Sequence, residues 1–443
     1  MKSPGSRLAN KKFFIHTYGC QMNENDSERI SGLLRDEGAL PEDSIESSDI
    51  IIINTCAVRQ KSEEKFYSLL GRLAELKRKK DITVGAVGCV AQLYRSGLIE
   101  KKPVIDFVIG PDNYGQIQDI LAKQTDEKIV STRWRSEWHE VPSHIVHRNG
   151  KTSAYTTIME GCDNFCSYCI VPFTRGREKH RPERNIVEEI RQLAQGGYLE
   201  IQLLGQNVNS YRDPETGFPF EHLLEKVNRI EGIQWIRFLA SHPKDLPPSL
   251  ARTMKEAKKI CHQLHLPLQS GSSDVLKKMG RGYTKEEYLE KIRMIRFHMP
   301  DMSFSTDIIV GFPGETDNDF EQTIEVLKKV RFTNIFSFRY SPRPRTAAAK
   351  IDDSVPFAAK RERLLVVQDV QKQIQLEHNS SLIGKTEKVL CLGKSKKDPQ
   401  RYSGRNEAYQ VVNFHSEHDV IGQFVEVRIT SCGPYSLHGA IKS

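Results

Sequence analysis

Two successive series of apolar strands that alternate with amphipathic helices constrain the fold of this 443-residue chain more than any other feature. In the first series, from about Lys12 to Lys123, apolar runs such as DIIIINT are each followed by a helical stretch. Continuous apolar strands of this kind lie in parallel sheets, because the crossover helices cover both faces. We therefore predict an α/β chain that begins with a doubly wound parallel α/β domain at residues 11–125.

A second βα series begins at Tyr155. It contains six strand candidates with helical stretches between them: YTTIME, LEIQLL, WIRFLA, HQLHLP, SFSTDIIV and NIFSFRY. Six repeats predict a partial, TIM-like (β/α)6 barrel at residues 151–380, and the active sites of such barrels form in the loops that follow the strands. Residues 126–150 are polar, rich in His and interrupted by Pro142, and we expect a linker there.

The C-terminal part of the chain changes pattern after a long helix expected at Ala358 to Asn379. Short β-like runs separated by turns predict a small five-stranded, OB-like β-barrel at residues 381–443. The net charge of +8 permits a polyanionic partner but does not require one. Because no apolar run reaches the roughly 18 residues of a membrane span and Met1 to Lys12 lack a signal-peptide core, we expect a cytoplasmic protein with no membrane partner.

Three of the nine cysteines, Cys162, Cys166 and Cys169, form a CxxxCxxC loop directly after the first barrel strand. Thiols stay reduced in the cytoplasm, so clustered cysteines there usually hold metal. A tetrahedral zinc site would need a fourth ligand, and a remote side chain such as His180 is the alternative. Three thiolates fit a 4Fe-4S cube that keeps one iron open for a small chelating ligand.

A second group of three cysteines is spread over the first domain. Cys20, Cys56 and Cys89 each end an apolar strand candidate, and the carboxyl ends of parallel strands meet at one edge of the sheet. We expect these side chains to converge in a second three-thiolate pocket, with Gly19 and Gly88 leaving room for a cluster. The remaining three cysteines share no such pattern and are expected to serve packing: Cys261, Cys391 and Cys432.

The CxxxCxxC loop, with the aromatic Tyr168 before its last cysteine, resembles that of the radical S-adenosylmethionine (SAM) enzymes. Both trios, together with TYGCQMNENDS, INTCAVR, GCVAQ and the closing β-barrel, are similar to the methylthiotransferase family over nearly the whole chain. The resemblance implies an N-terminal methylthiotransferase domain, a central radical SAM domain and a C-terminal TRAM domain. One small departure is Arg345, where the family pattern usually has Gly, and it concerns only the local turn.

The family's cofactors follow from this resemblance. It implies two 4Fe-4S clusters per chain and S-adenosyl-L-methionine, whose methionine amino and carboxylate groups chelate the open iron of the radical cluster. Reduction by that cluster cleaves the sulfonium to a 5'-deoxyadenosyl radical, and the auxiliary cluster on the first trio carries or supplies sulfur. The expected cofactor-binding residues lie in the strand-end loops: Tyr168, Gly205, Gln206, Asn207, Gly311 and Gly314.

Three branches of the family act on isopentenylated adenosine, on threonylcarbamoylated adenosine in tRNA, or on an aspartate of a ribosomal protein. LLGQNVNSY, HLPLQSGSSDVLKKMGRGYT and STDIIVGFPGETDNDF look most like the first branch. We therefore predict methylthiolation at carbon 2 of N(6)-dimethylallyladenosine at position 37, next to the anticodon. A non-catalytic iron–sulfur protein that binds RNA remains the alternative from another class.

The run TRGREKHRPER, next to the cysteine loop, predicts contacts with RNA phosphates. Its expected RNA-binding residues are Arg175, Arg177, Lys179, Arg181 and Arg184. Alternatively, Arg175 or Arg177 contacts the cofactor carboxylate. The expected partners are a tRNA anticodon loop, a reduced electron donor of the flavodoxin or ferredoxin type and a sulfur donor, and the chain is expected to be a monomer.

Overall fold

A six-stranded, all-parallel sheet forms the N-terminal domain of the computed structural model, which describes residues 8–123, 127–148 and 150–442. The strand order is β2-β1-β3-β4-β5-β6, and every residue of the central strand β3 is buried. The elements are β1 (Lys12–Tyr18), α1 (Gln21–Asp36), β2 (Leu40–Pro41), β3 (Ile50–Thr55), α2 (Gln60–Lys77), β4 (Thr83–Val87), α3 (Cys89–Tyr94), α4 (Ser96–Lys101), β5 (Phe107–Ile109), α5 (Ile117–Ala122) and β6 (Ile129–Ser131). The expected doubly wound sheet is thereby confirmed.

Part of the expected linker belongs to this sheet. Strand β6 pairs in parallel with β5, and Val141 is buried in the N-terminal core. A three-residue edge strand carries too little periodicity to be distinguished from a loop in the sequence. Residues 124–126 and 149, at either end of the expected linker, lie outside the described residues.

Two three-stranded parallel sheets, β7-β10-β11 and β12-β13-β14, form the central barrel and meet through a parallel bridge between Ile236 and Ile260. Among the described strands β7 and β14 do not pair with each other, so the barrel is open along that side, as six units predict. The elements are β7 (Ser153–Thr157), β8 (Met159–Glu160), α6 (Val171–Thr174), β9 (Lys179–His180), α7 (Glu183–Gln195), β10 (Glu200–Leu204), α8 (Phe220–Asn228), β11 (Trp235–Phe238), α9 (Pro248–Glu256), β12 (Gln263–His265), α10 (Ser273–Lys278), α11 (Lys285–His298), β13 (Ser303–Val310), α12 (Asp317–Val330), β14 (Asn334–Arg339) and α13 (Phe357–Ser380).

The C-terminal domain is a closed barrel of five strands in the order β15-β16-β17-β19-β18. Its strands are β15 (Thr386–Lys394), β16 (Tyr402–Asn406), β17 (Val411–His415), β18 (Phe424–Cys432) and β19 (Leu437–Ile441). The five-stranded barrel confirms the expectation, although β16 has no apolar run that would identify it in the sequence. Tyr402 from this strand is buried and stacks on Phe414 in the barrel core, with ring centroids 6.0 Å apart.

Arg237 on β11 fastens the small barrel to the amino-terminal end of the central barrel. Its Nε donates to Glu200 at 2.7 Å, and its two terminal nitrogens donate to the backbone oxygens of Glu407 at 2.6 Å and Asn406 at 2.8 Å. The guanidinium also lies over the rings of Trp235 and Tyr409. Since every one of its nitrogens has a partner, this buried cation links the two domains without an unsatisfied donor.

None of the helices in the described ranges has the length and apolar character that crossing a membrane requires.

Candidate active site at the domain interface

The first trio of cysteines converges at the carboxyl edge of the N-terminal sheet, as its spacing predicts. Cys20 follows β1, Cys56 follows β3, and Cys89 begins α3 directly after β4. A hydrogen bond between the Cys20 and Cys56 side chains lowers the pKa of the Cys20 thiol to about 6. The same bond, together with burial and the charges of Cys20 and Cys89, raises the pKa of Cys56. The three thiols are thus close enough to affect one another's ionisation.

Gly19 and Gly88, beside this trio, make room for asparagine side chains rather than for open space. A Cβ on Gly19 would lie 2.6 Å from Asn23 Oδ1, and one on Gly88, which has φ of 86°, would lie 2.3 Å from Asn54 Oδ1. Asn23 in turn donates to Asn54 Oδ1 at 2.9 Å. An added Cβ on Gly19 would also lie 2.8 Å from Cys56 Cβ, so the glycines allow both a buried amide pair and Cys56 to pack closely.

The second trio occupies the loop between β8 and α6, at the mouth of the central barrel. Cys166 is buried, and the N–H of Cys169 donates to its backbone oxygen at 2.9 Å. The N–H of Cys162 donates to Gly176 at 3.2 Å, which closes the loop on itself. Burial raises the pKa of Cys162 to about 11 and that of Cys169 to about 12. Because metals bind thiolates, loading this loop must release protons.

Two side chains that sequence reasoning missed contact Cys166. Arg281 donates to its Sγ at 3.3 Å, and His242 Nε2 lies 3.8 Å from the same sulfur. Arg281 also donates to the Tyr168 hydroxyl at 3.3 Å. Burial lowers the pKa of His242 to about 2, so this imidazole is neutral at physiological pH. His242 follows β11 and Arg281 lies in the turn between α10 and α11, and a single Arg or His in a loop gives no signal of its own.

The predicted cofactor residues after β10 support the cysteine loop. Gln206 Oε1 accepts from the N–H of Gly161 at 2.6 Å, and Asn207 donates to Asp245 at 2.7 Å. Gly205 leaves space for Met159, whose Cγ would lie 2.5 Å from an added Cβ. The structure therefore places Gly205, Gln206 and Asn207 next to the second trio.

Gly311 and Gly314 lie at the end of β13, and lysine side chains fill the space above them. An added Cβ would lie 2.3 Å from Lys360 Cγ at Gly311 and 3.1 Å from Lys278 Nζ at Gly314. Both glycines have positive φ, 70° and 76°, which explains the residue type. Close approach of a cofactor is therefore not needed to account for either glycine.

The rim of the barrel nevertheless offers polar atoms to a ligand. Four buried side-chain atoms in the strand-end segments have no hydrogen-bond partner within the described residues: Asn207 Oδ1, Ser241 Oγ, Gln269 Oε1 and the Tyr340 hydroxyl. Buried polar groups are normally paired, so an unpaired set at one rim calls for a ligand or water. Donors and acceptors of this kind suit the amino-acid and nucleoside parts of S-adenosyl-L-methionine, and the residues present fit that group.

Three of the five predicted RNA-binding residues are buried in ion pairs. Arg175 pairs with Asp26 at 2.5 Å, Lys179 with Asp112, and Arg181 with Glu140 and Glu189. Their carboxylate partners come from α1, from the turn before α5, from the linker and from α7. A local count of charges in the sequence cannot reveal these distant partners, which explains why the run looked like a surface patch.

The other two residues of that run are exposed. The Arg177 side chain is 71% exposed, pairs with Asp163 at 3.3 Å and lies over the Phe165 ring. The Arg184 side chain is 72% exposed and pairs with Glu215 at 2.8 Å. Only these two members of the set present their guanidinium groups to solvent.

One short helix connects the loop of the second trio to the helix that begins at Cys89 of the first trio. Helix α6 begins two residues after Cys169 and packs on α3, which begins at Cys89. Ile170, between Cys169 and α6, belongs to the same buried cluster as Cys89. A hydrogen bond of 2.7 Å between Thr157 and Asn25 adds a second link across this interface. The domain interface thus brings both trios to one region of the molecule.

The zinc alternative depends on His180 as a fourth ligand to the second trio. In the described part of the chain no three His, Cys, Asp or Glu side chains surround a single metal position. His180, the alternative fourth ligand, has one ring nitrogen 2.9 Å from the backbone oxygen of Arg212 and the other 3.4 Å from Glu178. Both ring nitrogens of His180 are therefore next to oxygen atoms.

A partial (β/α)6 barrel with a CxxxCxxC loop after its first strand defines the class of radical SAM enzymes, and the comparisons agree. The family profile described as Radical SAM superfamily matches residues 156–327, the profile described as Uncharacterized protein family UPF0004 matches 12–110, and TRAM domain matches 380–442. The radical S-adenosylmethionine methyltransferase TsrM from Kitasatospora setae has a similar fold, with a TM-score of 0.56 at 13% identity over 77% of this chain and 74% of that one. OxsB, a cobalamin-dependent S-adenosylmethionine radical enzyme, gives 0.53 at 12% identity over 83% and 57%.

Curated relatives match over nearly the full length. Proteins named tRNA-2-methylthio-N(6)-dimethylallyladenosine synthase from Syntrophus aciditrophicus and Thermodesulfovibrio yellowstonii are 44% and 46% identical. The first alignment covers 99% of this chain and 96% of the relative, and the second covers 98% and 100%. This chain belongs to the tRNA-2-methylthio-N(6)-dimethylallyladenosine synthase family of radical SAM methylthiotransferases.

Proposed function

We propose that this chain is a transferase that adds a methylthio group to carbon 2 of N(6)-dimethylallyladenosine at position 37 of tRNA. The observation that carries the proposal is the packing of α6, which follows the second cysteine loop, on α3, which begins at Cys89 of the first trio. The names of relatives more than 40% identical over nearly the whole chain support the substrate. When bound, the clusters and S-adenosyl-L-methionine supply the methyl group, the sulfur site and the radical that an unactivated ring carbon requires.

In this proposal each trio holds one 4Fe-4S cluster. Cys162, Cys166 and Cys169 hold the radical cluster, and the first trio holds the auxiliary cluster: Cys20, Cys56 and Cys89. Each set provides three thiolates, so one iron of each cluster stays available to a ligand that is not protein. The buried imidazole of His242 and the guanidinium of Arg281 hold the Cys166 sulfur in place from the barrel side.

The cofactor-binding residues are assigned by their distance from the second trio. Gln206 and Asn207, supported by Gly205, position the loop and offer the unpaired Asn207 Oδ1 to the cofactor. The Tyr168 side chain packs with Phe312 and Tyr340 beneath the loop. We propose that Gly311 and Gly314 act only by shaping the end of β13.

The inner wall of the central barrel is the proposed binding site for the adenine base of the tRNA. His265 and Asp307 point into it and form a pair of 3.3 Å, and the Phe336 ring lies 5.8 Å from the His265 ring. Phe336 and Phe338, opposite Asp307 and Ile309 in the β13–β14 register, are 44% and 40% exposed although they lie in a strand. We propose that the flipped adenine stacks on this wall and that its dimethylallyl group contacts the two phenylalanines.

The tRNA is held by exposed cations around the opening. Arg177 and Arg184 are assigned to phosphates of the anticodon loop because they alone in their run are exposed. The other three predicted RNA-binding residues are assigned to the domain interface instead: Arg175, Lys179 and Arg181. The proposal includes a reduced flavodoxin or ferredoxin-type electron donor, a sulfur donor and a monomeric chain acting on tRNA in the cytoplasm.

The test is a nucleoside analysis after reaction. The reconstituted enzyme is incubated under reducing, anaerobic conditions with tRNA that carries dimethylallyladenosine, and the digest is examined for a mass gain of SCH2. Parallel reactions contain tRNA with threonylcarbamoyladenosine or a ribosomal protein. A gain only in either of those reactions would reassign the substrate, and no gain with iron fully loaded would favour the non-catalytic alternative.

A further inference from the structure

Arg175 contacts the first cysteine trio although it belongs to the second cysteine loop. Its Nε donates to Cys89 Sγ at 3.3 Å, and Nη2 donates to Asp26 Oδ2 at 2.5 Å. Asp26, on α1, also accepts from the Tyr114 hydroxyl at 3.2 Å. Arg175 is 2% exposed and Asp26 is fully buried. Burial of an ion pair is costly, so a pair retained here points to a role beyond stability.

The position of Arg175 along the chain ties the two trios together. It follows α6 directly, six residues after Cys169, and its own N–H donates to Val171 at 2.8 Å. The backbone is therefore fixed to the radical loop, whereas the guanidinium ends at a sulfur of the other trio. Asp26 holds that guanidinium in one orientation.

We propose that Arg175 is a positioning residue that tunes the auxiliary cluster through the Cys89 thiolate. The inference depends on the assignment of that cluster to the first trio in the proposed function. A donor to a ligating sulfur withdraws electron density from the cluster and stabilises its reduced form, which raises the midpoint potential. The Asp26 carboxylate keeps the donor in line and limits the size of the effect.

The second trio carries a comparable donor, which makes a matched control available. Arg281 donates to Cys166 Sγ, also at 3.3 Å, and is likewise buried. Each trio thus has one guanidinium on one sulfur, and neither arginine contacts the sulfur of the other trio in the hydrogen bonds of the described residues. Replacing either one should change one cluster and not the other.

The experiment measures midpoint potentials by redox titration followed by EPR. Arg175→Gln and Arg175→Lys are made in the full chain with Cys162, Cys166 and Cys169 replaced by alanine, so that only the auxiliary cluster assembles. We expect Gln to move its potential to more negative values and Lys, which keeps the charge, to recover part of the shift. Arg281→Gln in the same three-alanine chain is the matched control and should leave the potential of the auxiliary cluster unchanged.

Iron analysis distinguishes a failure of this inference from a failure of the proposed function on which it rests. A cluster that loads fully in Arg175→Gln at an unchanged potential would overturn the role of Arg175. If Arg175→Gln does not fold, Asp26→Asn replaces it, and because the guanidinium then keeps its charge without a counter-ion, the potential should move to more positive values. A shift of the midpoint potential to more negative values in Asp26→Asn would also overturn the proposed role of Arg175. Failure of the parent chain with three alanines to bind any cluster would instead overturn the assignment of the first trio.

Discussion

Arg281 reaches the Sγ of Cys166 across 115 residues of sequence, at 3.3 Å. The same side chain donates to the Pro267 backbone oxygen at 2.8 Å and to the Tyr283 hydroxyl at 2.9 Å. The cysteine loop is therefore held from the far half of the barrel by a side chain whose own orientation is fixed. The proposed radical cluster would therefore be held by a loop whose position this arginine helps to fix.

Loss of one thiolate should remove one cluster and leave the other. In Cys56→Ser we expect reconstituted iron to fall from about eight to about four atoms per chain, because the two trios are separate sets of ligands. Iron and sulfide analysis with absorption spectra provides the measurement. Cys261→Ser, which changes a buried cysteine of neither trio, is the control and should keep the full iron content. An unchanged iron content in Cys56→Ser would contradict the assignment of a cluster to the first trio.

Truncation of Phe336 should weaken recognition of the modified base. In Phe336→Ala we expect KM for tRNA with dimethylallyladenosine to rise about tenfold, since stacking contributes about 1–3 kcal/mol per base. The loss should be smaller for tRNA with unmodified adenosine, which lacks the apolar group. Phe297→Ala, at an 84% exposed position on α11, is the control. Equal losses on both tRNAs would argue against contact with the dimethylallyl group.

Removal of Arg177 should weaken tRNA binding in a salt-dependent manner. Because its exposed guanidinium can neutralise one phosphate, Arg177→Ala should bind more weakly and reduce the slope of log K against log salt by about one. Filter binding at several salt concentrations measures both quantities. Arg191→Ala, which removes a comparable exposed arginine on α7, serves as the control. An unchanged slope in Arg177→Ala would remove this residue from the RNA interface.

Arg345 adopts a backbone conformation that suits glycine. It has φ of 70° and is exposed, so its side chain forms no buried contact that glycine would lose. We expect Arg345→Gly to stabilise the chain by about 1 kcal/mol, because a left-handed φ is strained for a residue with a Cβ.

Urea unfolding of this variant provides the test. Arg361→Gly, inside α13 at an exposed position, is the matched control and should destabilise the chain by about 1 kcal/mol. A destabilised Arg345→Gly would show that the arginine side chain contributes more than the strain costs.

Much of the fold could be predicted because apolar runs such as β3 and β13 recur between helical stretches. The convergence of Cys20, Cys56 and Cys89 followed from strand order alone, since equivalent ends of parallel strands meet at one edge. The three-residue strand β6 and the polar strand β16 could not be predicted, because their pairing depends on neighbours and not on their own pattern.

The roles of the charged residues could not be predicted from the sequence pattern. In the sequence, nothing distinguishes Arg177 from its neighbours Arg175, Lys179 and Arg181. Only the fold shows that those three form ion pairs with buried carboxylates. Arg281 and His242 could not be predicted at all, because their target is a sulfur distant in the sequence. Local patterns reveal ligands that share a loop or a sheet edge, but not the second layer of groups around them.

The attachment of the small barrel through Arg237 affects how a folded RNA can contact this chain. Hydrogen bonds of 2.6 and 2.8 Å join the two barrels, so the outer surface of the small barrel has a defined position relative to the cysteine loops. We expect an RNA that contacts both places to be selected by the distance between its contacting segments as well as by the base that is modified.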